Sequence, residues 1–548
     1  MRHRALRFAA TVVGALAVAA CGSGTGSGSL PAPSIASVSP TSGPATGGTL
    51  VTIAGASFQN GATVQFGSAQ ATAVTVAGPT SLSATTPAGA AGAVSVTVTN
   101  PDLQSAVLPS GFTYVGTCTL PAAVTSNMTL DPSCVWTAPQ TVLVGGPSSP
   151  VLTIQPGTTI HFASGANGSP GAALRVGADG QPGGLAAIGS VSLVITFTSA
   201  SATPAAGDWG GVVIGPLSLN STSLEYTNID YAGGPGANDL PGTDAAALTV
   251  EGGDAVGLLA GSAESPTPFL TFLKVENSAG HGVVFAGIDT GFGPHSADVK
   301  VMNWEMTAHY PLVIEANQGG TIPTSISAPA ATLTPTAVVA FHTYSGADHA
   351  NVVLSETWPA IALPYLVVET IQVAAASGDP AATLTIATPN TVEFTSGSEL
   401  DIDPNSLTTG FLQANGTVSA SIIFTSNQAQ PNAGAWAGIN FWCVGNDQFQ
   451  NSSLTYSLIE YATSTNEAST DTGEIAILNG TASAAGLNGP TITNCTFDNY
   501  ADFGIAMVDI SNNPSYSNYV GDNVFQDAND VVLHCSGQLP SGLCTSEP

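Results

Sequence analysis

The sequence predicts an all-β protein: a small antiparallel sandwich followed by a long solenoid made of two tandem copies. Three observations predict it. The composition is that of strands and turns, with 62 Gly, 37 Pro and only 8% charged residues. Long exposed helices need Lys, Glu and Arg on their wet face, and those are scarce here. Short runs alternate apolar and polar residues at period two, with Gly, Pro and Asn between them. Finally, the order of runs in residues 117–350 returns in residues 351–548. A chain of 548 residues with 43% hydrophobic side chains can bury more than one core.

The formal charge is −30, with 36 Asp and Glu against six Lys and Arg. Arg2, Arg4 and Arg7 lie at the extreme N-terminus, so Arg175, Lys274 and Lys300 are the only cations in the rest of the chain. Such a surface repels phosphate, which excludes nucleic acid as a partner. It also repels anionic polysaccharide unless divalent cations bridge the two.

Residues 1–21 have a basic start and an apolar run, Phe8 to Ala20, too short to span a bilayer comfortably. The run ends Val18-Ala19-Ala20-Cys21 and resembles the bacterial lipobox. That resemblance implies export, diacylation of Cys21 and a membrane partner reached through the lipid anchor. Residues 22–32, rich in Gly and Ser, form a flexible tether. Gly22, where an Asp would direct retention, implies the outer membrane and cell surface. Export places the other six cysteines in an oxidising compartment. Cys118 with Cys134, and Cys535 with Cys544, are close enough to be local staples; Cys443 and Cys495 pair by elimination. No Cys-x-x-Cys occurs, so nothing indicates a structural zinc site.

Residues 33–116 give the sandwich. Leu50-Val51-Thr52-Ile53, Ala62-Thr63-Val64-Gln65-Phe66-Gly67 and Ala93-Val94-Ser95-Val96-Thr97-Val98-Thr99-Asn100 alternate between close-spaced turns. The pattern Pro40-x-x-Gly43, Gly47-Gly48-Thr49, Ile53-x-Gly55-x-x-Phe58, Val64-x-Phe66-Gly67, Val96-x-Val98-x-Asn100 and Phe112-x-Tyr114 resembles the IPT/TIG family of immunoglobulin-like domains. The resemblance implies a spacer, or a module contacting carbohydrate or protein.

The solenoid justifies itself by duplication. Val151–Phe162 can be laid on Thr383–Phe394, Ile195-Thr-Phe-Thr-Ser199 on Ile422-Ile-Phe-Thr-Ser426, and Ser223–Ala232 on Ser453–Ala462. Residues 268–277 match 490–499. Asp208-Trp209-Gly210-Gly211 corresponds to Ala435-Trp436-Ala437-Gly438, so Trp and its small neighbours recur while the only ionisable group does not. Trp209 and Trp436 therefore read as structural, packed across a coil edge. Cys134-Val-Trp136 is aligned with Glu356-Thr-Trp358 as a leader to each copy. Strand spacing suggests coils of roughly 20–25 residues. Asn277, Asn303, Asn499 and Asn523 suit corners, where Asn tolerates the left-handed conformation. The series resembles the right-handed parallel β-helix repeat family, and its closest likeness is to bacterial surface proteins.

Members of that family often act on polysaccharides. Pectate-lyase-like sites use a cationic base beside calcium-binding carboxylates, and Arg175 is the one arginine available. Polygalacturonase-like sites use clustered Asp, Gly-His-Gly and Arg-x-Lys; Gly280-His281-Gly282 is present, but no Asp-Asp pair and no Arg-x-Lys. Asp230 and Glu460 recur before Tyr, and Glu276 and Asp498 before Asn, which fits a corner hydrogen bond or a calcium site in each copy. Asp401-x-Asp403-x-Asn405 begins like a calcium loop but lacks its later Gly and Glu, so calcium is the one cofactor left open. Asp230, Glu460 and His281 are the candidate carbohydrate-site residues. Two functions follow: a non-enzymatic surface lipoprotein presenting a β-helix face to glycan or protein, or an extracellular polysaccharide lyase, hydrolase or epimerase. Three acids, or acids with Arg175, converging in one groove would favour the enzyme.

Overall fold

The computed structural model describes residues 30–547 other than 166–170, 236–244, 253–265, 288–289, 305–308, 329–337, 343–349, 376–377, 404–408, 444–450, 464–472, 480–488, 501–502, 509–518, 527–531 and 536–544. Two compact units, Met1–Tyr114 and Val115–Pro548, divide the chain. Met1–Cys21 and most of the tether, with the expected lipidation at Cys21, lie outside the described residues.

The first unit is an antiparallel sandwich. Ser34–Ser39, Leu50–Ala56, Ser81–Thr85 and Thr72–Gly78 form one sheet, in that order. Thr63–Phe66 pairs with Gly92–Thr99, which pairs with residues 105–114. The alternation read from sequence becomes the core: Val51, Ile53, Val64, Phe66, Val96, Val98 and Phe112 are all buried. Asn100 ties a turn, donating to the carbonyl of Ser57 at 2.8 Å and accepting from the Gln59 amide at 3.2 Å. Gly47 has φ +79°, and a Cβ there would meet the Pro87 backbone at 2.5 Å, so no other residue fits that turn.

The second unit is a parallel β-helix. Its longest wall is a 14-stranded sheet running from Ala123–Val124 to Val524–Phe525, with parallel neighbours throughout. A single apolar cluster lines the interior from Leu120 to Tyr519. Inward positions stack like on like: Leu174, Val212, Leu248, Val283, Leu312 and Val339 succeed one another along the wall, all buried. Coils are less regular than roughly 20–25 residues. Thr117 lies opposite Val135, 18 positions on, whereas Ser223 lies opposite Phe269, 46 positions on. A ladder constrains only the strands, so the connections between them vary freely.

The two copies build equivalent ladders but do not occupy the same walls. Thr159–Phe162 pairs with Ile195–Ser199 in a sheet separate from the long wall, while its counterpart Asn390–Phe394 lies in the long wall and pairs with Ile422–Ser426. The long wall thus passes from Val339–Phe341 of the first copy to Tyr365–Val367, which opens the corresponding series in the second. Val339 and Phe341 point inward, as do Tyr365 and Val367, so the pleats match and the second copy enters one side of the prism later.

Register also corrects the leader. Trp358 stands opposite Ile386 as Leu130 stands opposite Ile154, and Tyr365 opposite Val392 as Trp136 opposite Ile160. Trp358 is therefore the counterpart of Leu130, not of Trp136. At the corners Asn277, Asn303 and Asn499 do have φ near +55° to +60°, but Asn523 does not; Asn494, at +57°, takes the left-handed role. Asn523 works through its side chain, accepting from the Cys495 amide and donating to the carbonyls of Ile492 and Tyr519.

Candidate functional site

Both framed tryptophans are structural. Trp209 is fully buried and its ring stacks on Phe162, 4.2 Å between centroids at 9°; Trp436 stacks on Phe394 at 3.9 Å and 11°. Each indole donates one coil onward, Trp209 to the carbonyl of Asp230 at 2.8 Å and Trp436 to that of Glu460 at 2.9 Å. Asp208 accepts from the Ser199 hydroxyl at 2.6 Å and the Ala205 amide at 3.1 Å, closing a local loop. Ala435 omits that loop contact and keeps the tryptophan.

The cysteines divide. Cys118 and Cys134 form a disulfide. Cys495 does not pair with Cys443: it is a buried free thiol whose Sγ faces the carbonyls of Leu454 and Thr493. The backbones explain why. Residue 443 ends Ile439–Cys443 in one sheet, whereas Cys495 precedes Thr496–Asp498 in the long wall. Burial pushes the Cys495 thiol up to about 11. Cys544, and so the expected bond to Cys535, lies outside the described residues.

The other candidate residues do not meet in one groove. Arg175 is engaged two-pronged by Asp179, at 3.1 and 2.7 Å. His281 is buried at the start of the wall strand His281–Ala286, and its Nδ1 accepts the Tyr310 amide at 2.8 Å. Asp401 sits within Leu400–Ile402, not in a loop; it accepts from Asn440 Nδ2 at 2.9 Å and Trp442 Nε1 at 3.2 Å. Asn440 also donates to Glu399 at 3.0 Å, and burial followed by the Asp401 charge raises the Glu399 carboxyl to about 7. Asp403 is buried with φ +57°, and Asn405 lies outside the described residues. Glu460 accepts from the Thr425 hydroxyl at 2.7 Å. Among the described residues no three His, Cys, Asp or Glu side chains group as a metal site.

One outer face does concentrate chemistry. It spans three consecutive coils, Ser223–Asp230, Phe269–Glu276 and Lys300–Met302. On one corner Tyr226 and Phe272 both have left-handed backbones and stack at 4.4 Å and 14°, with Phe272 43% exposed. On the adjoining strands Asn228, Lys274 and Lys300 are successive cross-strand neighbours. These are the only two lysines in the chain. Lys274 pairs with Glu276 at 2.5 Å. Among the described residues Lys300 has no ion pair and is exposed. At the next corner Asn277 donates to Asp230 at 2.8 Å, and Asn303 to Asn277 at 3.3 Å. Burial raises the Asp230 carboxyl, opposed by the Asn277 hydrogen bond.

The second copy supplies a control inside the same chain. Leu458, Thr496 and Val524 are the cross-strand series matching Asn228, Lys274 and Lys300. Tyr456 and Asn494 hold the left-handed corner of Tyr226 and Phe272, and Tyr461 and Asn499 that of Tyr231 and Asn277. The corner geometry is thus kept, while both lysines and the second aromatic ring are peculiar to the first copy. Sequence alignment of the copies pairs Lys274 with Thr496, but it does not reveal that Lys274 adjoins Lys300 or that Phe272 lies on Tyr226. Those relations depend on register across a loop of variable length.

No curated protein matches the chain. Its sandwich has a family: residues 33–114 match the model of the IPT/TIG domain.

Proposed function

We propose that this chain is an exported, lipid-anchored, non-enzymatic scaffold whose β-helix presents a recognition face to extracellular material. The observation that carries the reading is the asymmetry between copies. Both retain the inward lining, the stacked tryptophan and the left-handed corners, which the fold requires. Only the first adds a second, exposed aromatic ring, Phe272 stacked on Tyr226, and both lysines on one outward surface, where folding does not need them. Like charges set directly across a ladder are unfavourable, so their adjacency calls for a role. The acids support the same reading: Asp230 serves a corner, Glu460 a threonine, Asp401 an asparagine. The N-terminal sequence supports export and anchoring through Cys21, with the sandwich as spacer.

Two measurements test this. Palmitate labelling of the expressed protein should be lost in Cys21→Ala. A glycan array probed with the intact chain, with and without calcium, should show binding. Reducing-sugar and unsaturated-product assays on the bound glycans should show no turnover; turnover would replace the scaffold by the enzyme.

A further inference from the structure

Granted a recognition face, the structure also indicates its ligand. We infer that the surface formed by Tyr226, Asn228, Phe272, Lys274 and Lys300 binds a neutral glycan, a sugar ring lying on Phe272 and its hydroxyls meeting the strand side chains.

The aromatic pair sets the first contact. Tyr226 lies beneath Phe272 with nearly parallel rings, and both sit where the backbone is left-handed. Few large side chains adopt that conformation, and here it turns an apolar ring outward, where water must otherwise cover it. A pyranose offers a flat apolar face of C–H groups that such a ring can stack against. Two residues on, just past the corner, stands Lys274, and the next coil places Lys300 about 4.8 Å beyond it. Each ammonium is a donor with three hydrogens. Asn228, on the preceding coil, supplies donor and acceptor together. Glu276 and Asp230 are already engaged by Lys274 and Asn277, so the acceptors are fixed in place rather than free to sweep.

Charge selects against the acidic alternative. The three coils carry Asp230, Glu276, Glu225 and Asp298 against the two lysines, with Glu276 paired to Lys274, and the chain as a whole carries −30. A polyanion would approach against that field. A neutral chain feels none of it and still gains hydrogen bonds to charged donors, which are stronger than neutral ones.

The test uses the intact chain and calorimetry against neutral hexasaccharides of β-1,4-glucan, β-1,4-xylan, β-1,3-glucan and mannan, with oligogalacturonate as the acidic probe. The variants take the residues of the second copy at equivalent positions, Phe272→Asn, Lys274→Thr and Lys300→Val, so that the corner and ladder are retained; thermal unfolding checks that they are. Binding to at least one neutral probe is expected, with less than about twofold change on raising salt. Phe272→Asn should weaken it about tenfold, and Lys300→Val severalfold. Binding confined to oligogalacturonate, falling steeply with salt, overturns the neutral assignment while leaving the recognition reading intact. Neutral binding untouched by all three folded variants overturns the placement. No binding to any glycan, on the array or here, overturns the recognition reading itself.

Discussion

Trp209 lies flat on Phe162, and its indole nitrogen reaches the carbonyl of Asp230 on the following coil. One side chain therefore fills the interior and closes a corner. Truncating it removes a large buried surface and orphans a carbonyl. Trp209→Ala and Trp436→Ala should each lower stability by about 3–5 kcal/mol, read from urea denaturation. Asp208→Ala, which copies the second repeat at that position, should cost only about 1 kcal/mol.

The second copy should be stabilised by mild acid. Burial raises the carboxyls of Glu356, Glu393 and Glu399 to about 7, from 4.5. A carboxyl with a higher folded than unfolded pKa holds its proton better in the native state. Its contribution is complete below about pH 4.5 and is lost as pH rises through 7. The urea midpoint should be higher at pH 5 than at pH 8. The triple variant Glu356→Gln, Glu393→Gln, Glu399→Gln separates this effect from relief of general charge repulsion, and should reduce the difference between the two pH values.

Cysteine mapping should divide the thiols as the structure does. Non-reducing peptide analysis should recover Cys118 linked to Cys134 and should find no link between Cys443 and Cys495. The Cys495 peptide should take up iodoacetamide only after denaturation, because the thiol is buried and its pKa is near 11. Replacing Cys118 and Cys134 by Ser should cost about 3 kcal/mol, given the short loop they close.

Much of the fold was legible because it rests on local alternation. The inward residues of Val151–Ile154 and Ala382–Ile386 could be marked from period two alone, and the recurrence of Trp209 in Trp436 disclosed both the duplication and the role of the tryptophan. The offset of one side between copies was not legible. It arises where Tyr365–Val367 stacks on Val339–Phe341, and any two strands with matching pleats can stack. The same limit hid the candidate site. Phe272 and Lys300 read as isolated residues until register brings them beside Tyr226 and Lys274, and a left-handed phenylalanine has no signature in sequence. Elimination misled at Cys443 and Cys495 because counting thiols ignores which wall each one occupies.

The central claim is that the copies share one architecture and that only the first bears the ligand contacts. Transplanting those contacts tests it most directly. Leu458→Asn, Asn494→Phe, Thr496→Lys and Val524→Lys together should recreate the strand asparagine, the aromatic pair with Tyr456 and the adjacent lysines on the second copy. Titrating the folded quadruple variant with the neutral hexasaccharide bound most tightly by the unaltered chain should give two sites per chain where the parent has one. A variant that folds like the parent and still binds a single equivalent would contradict the account.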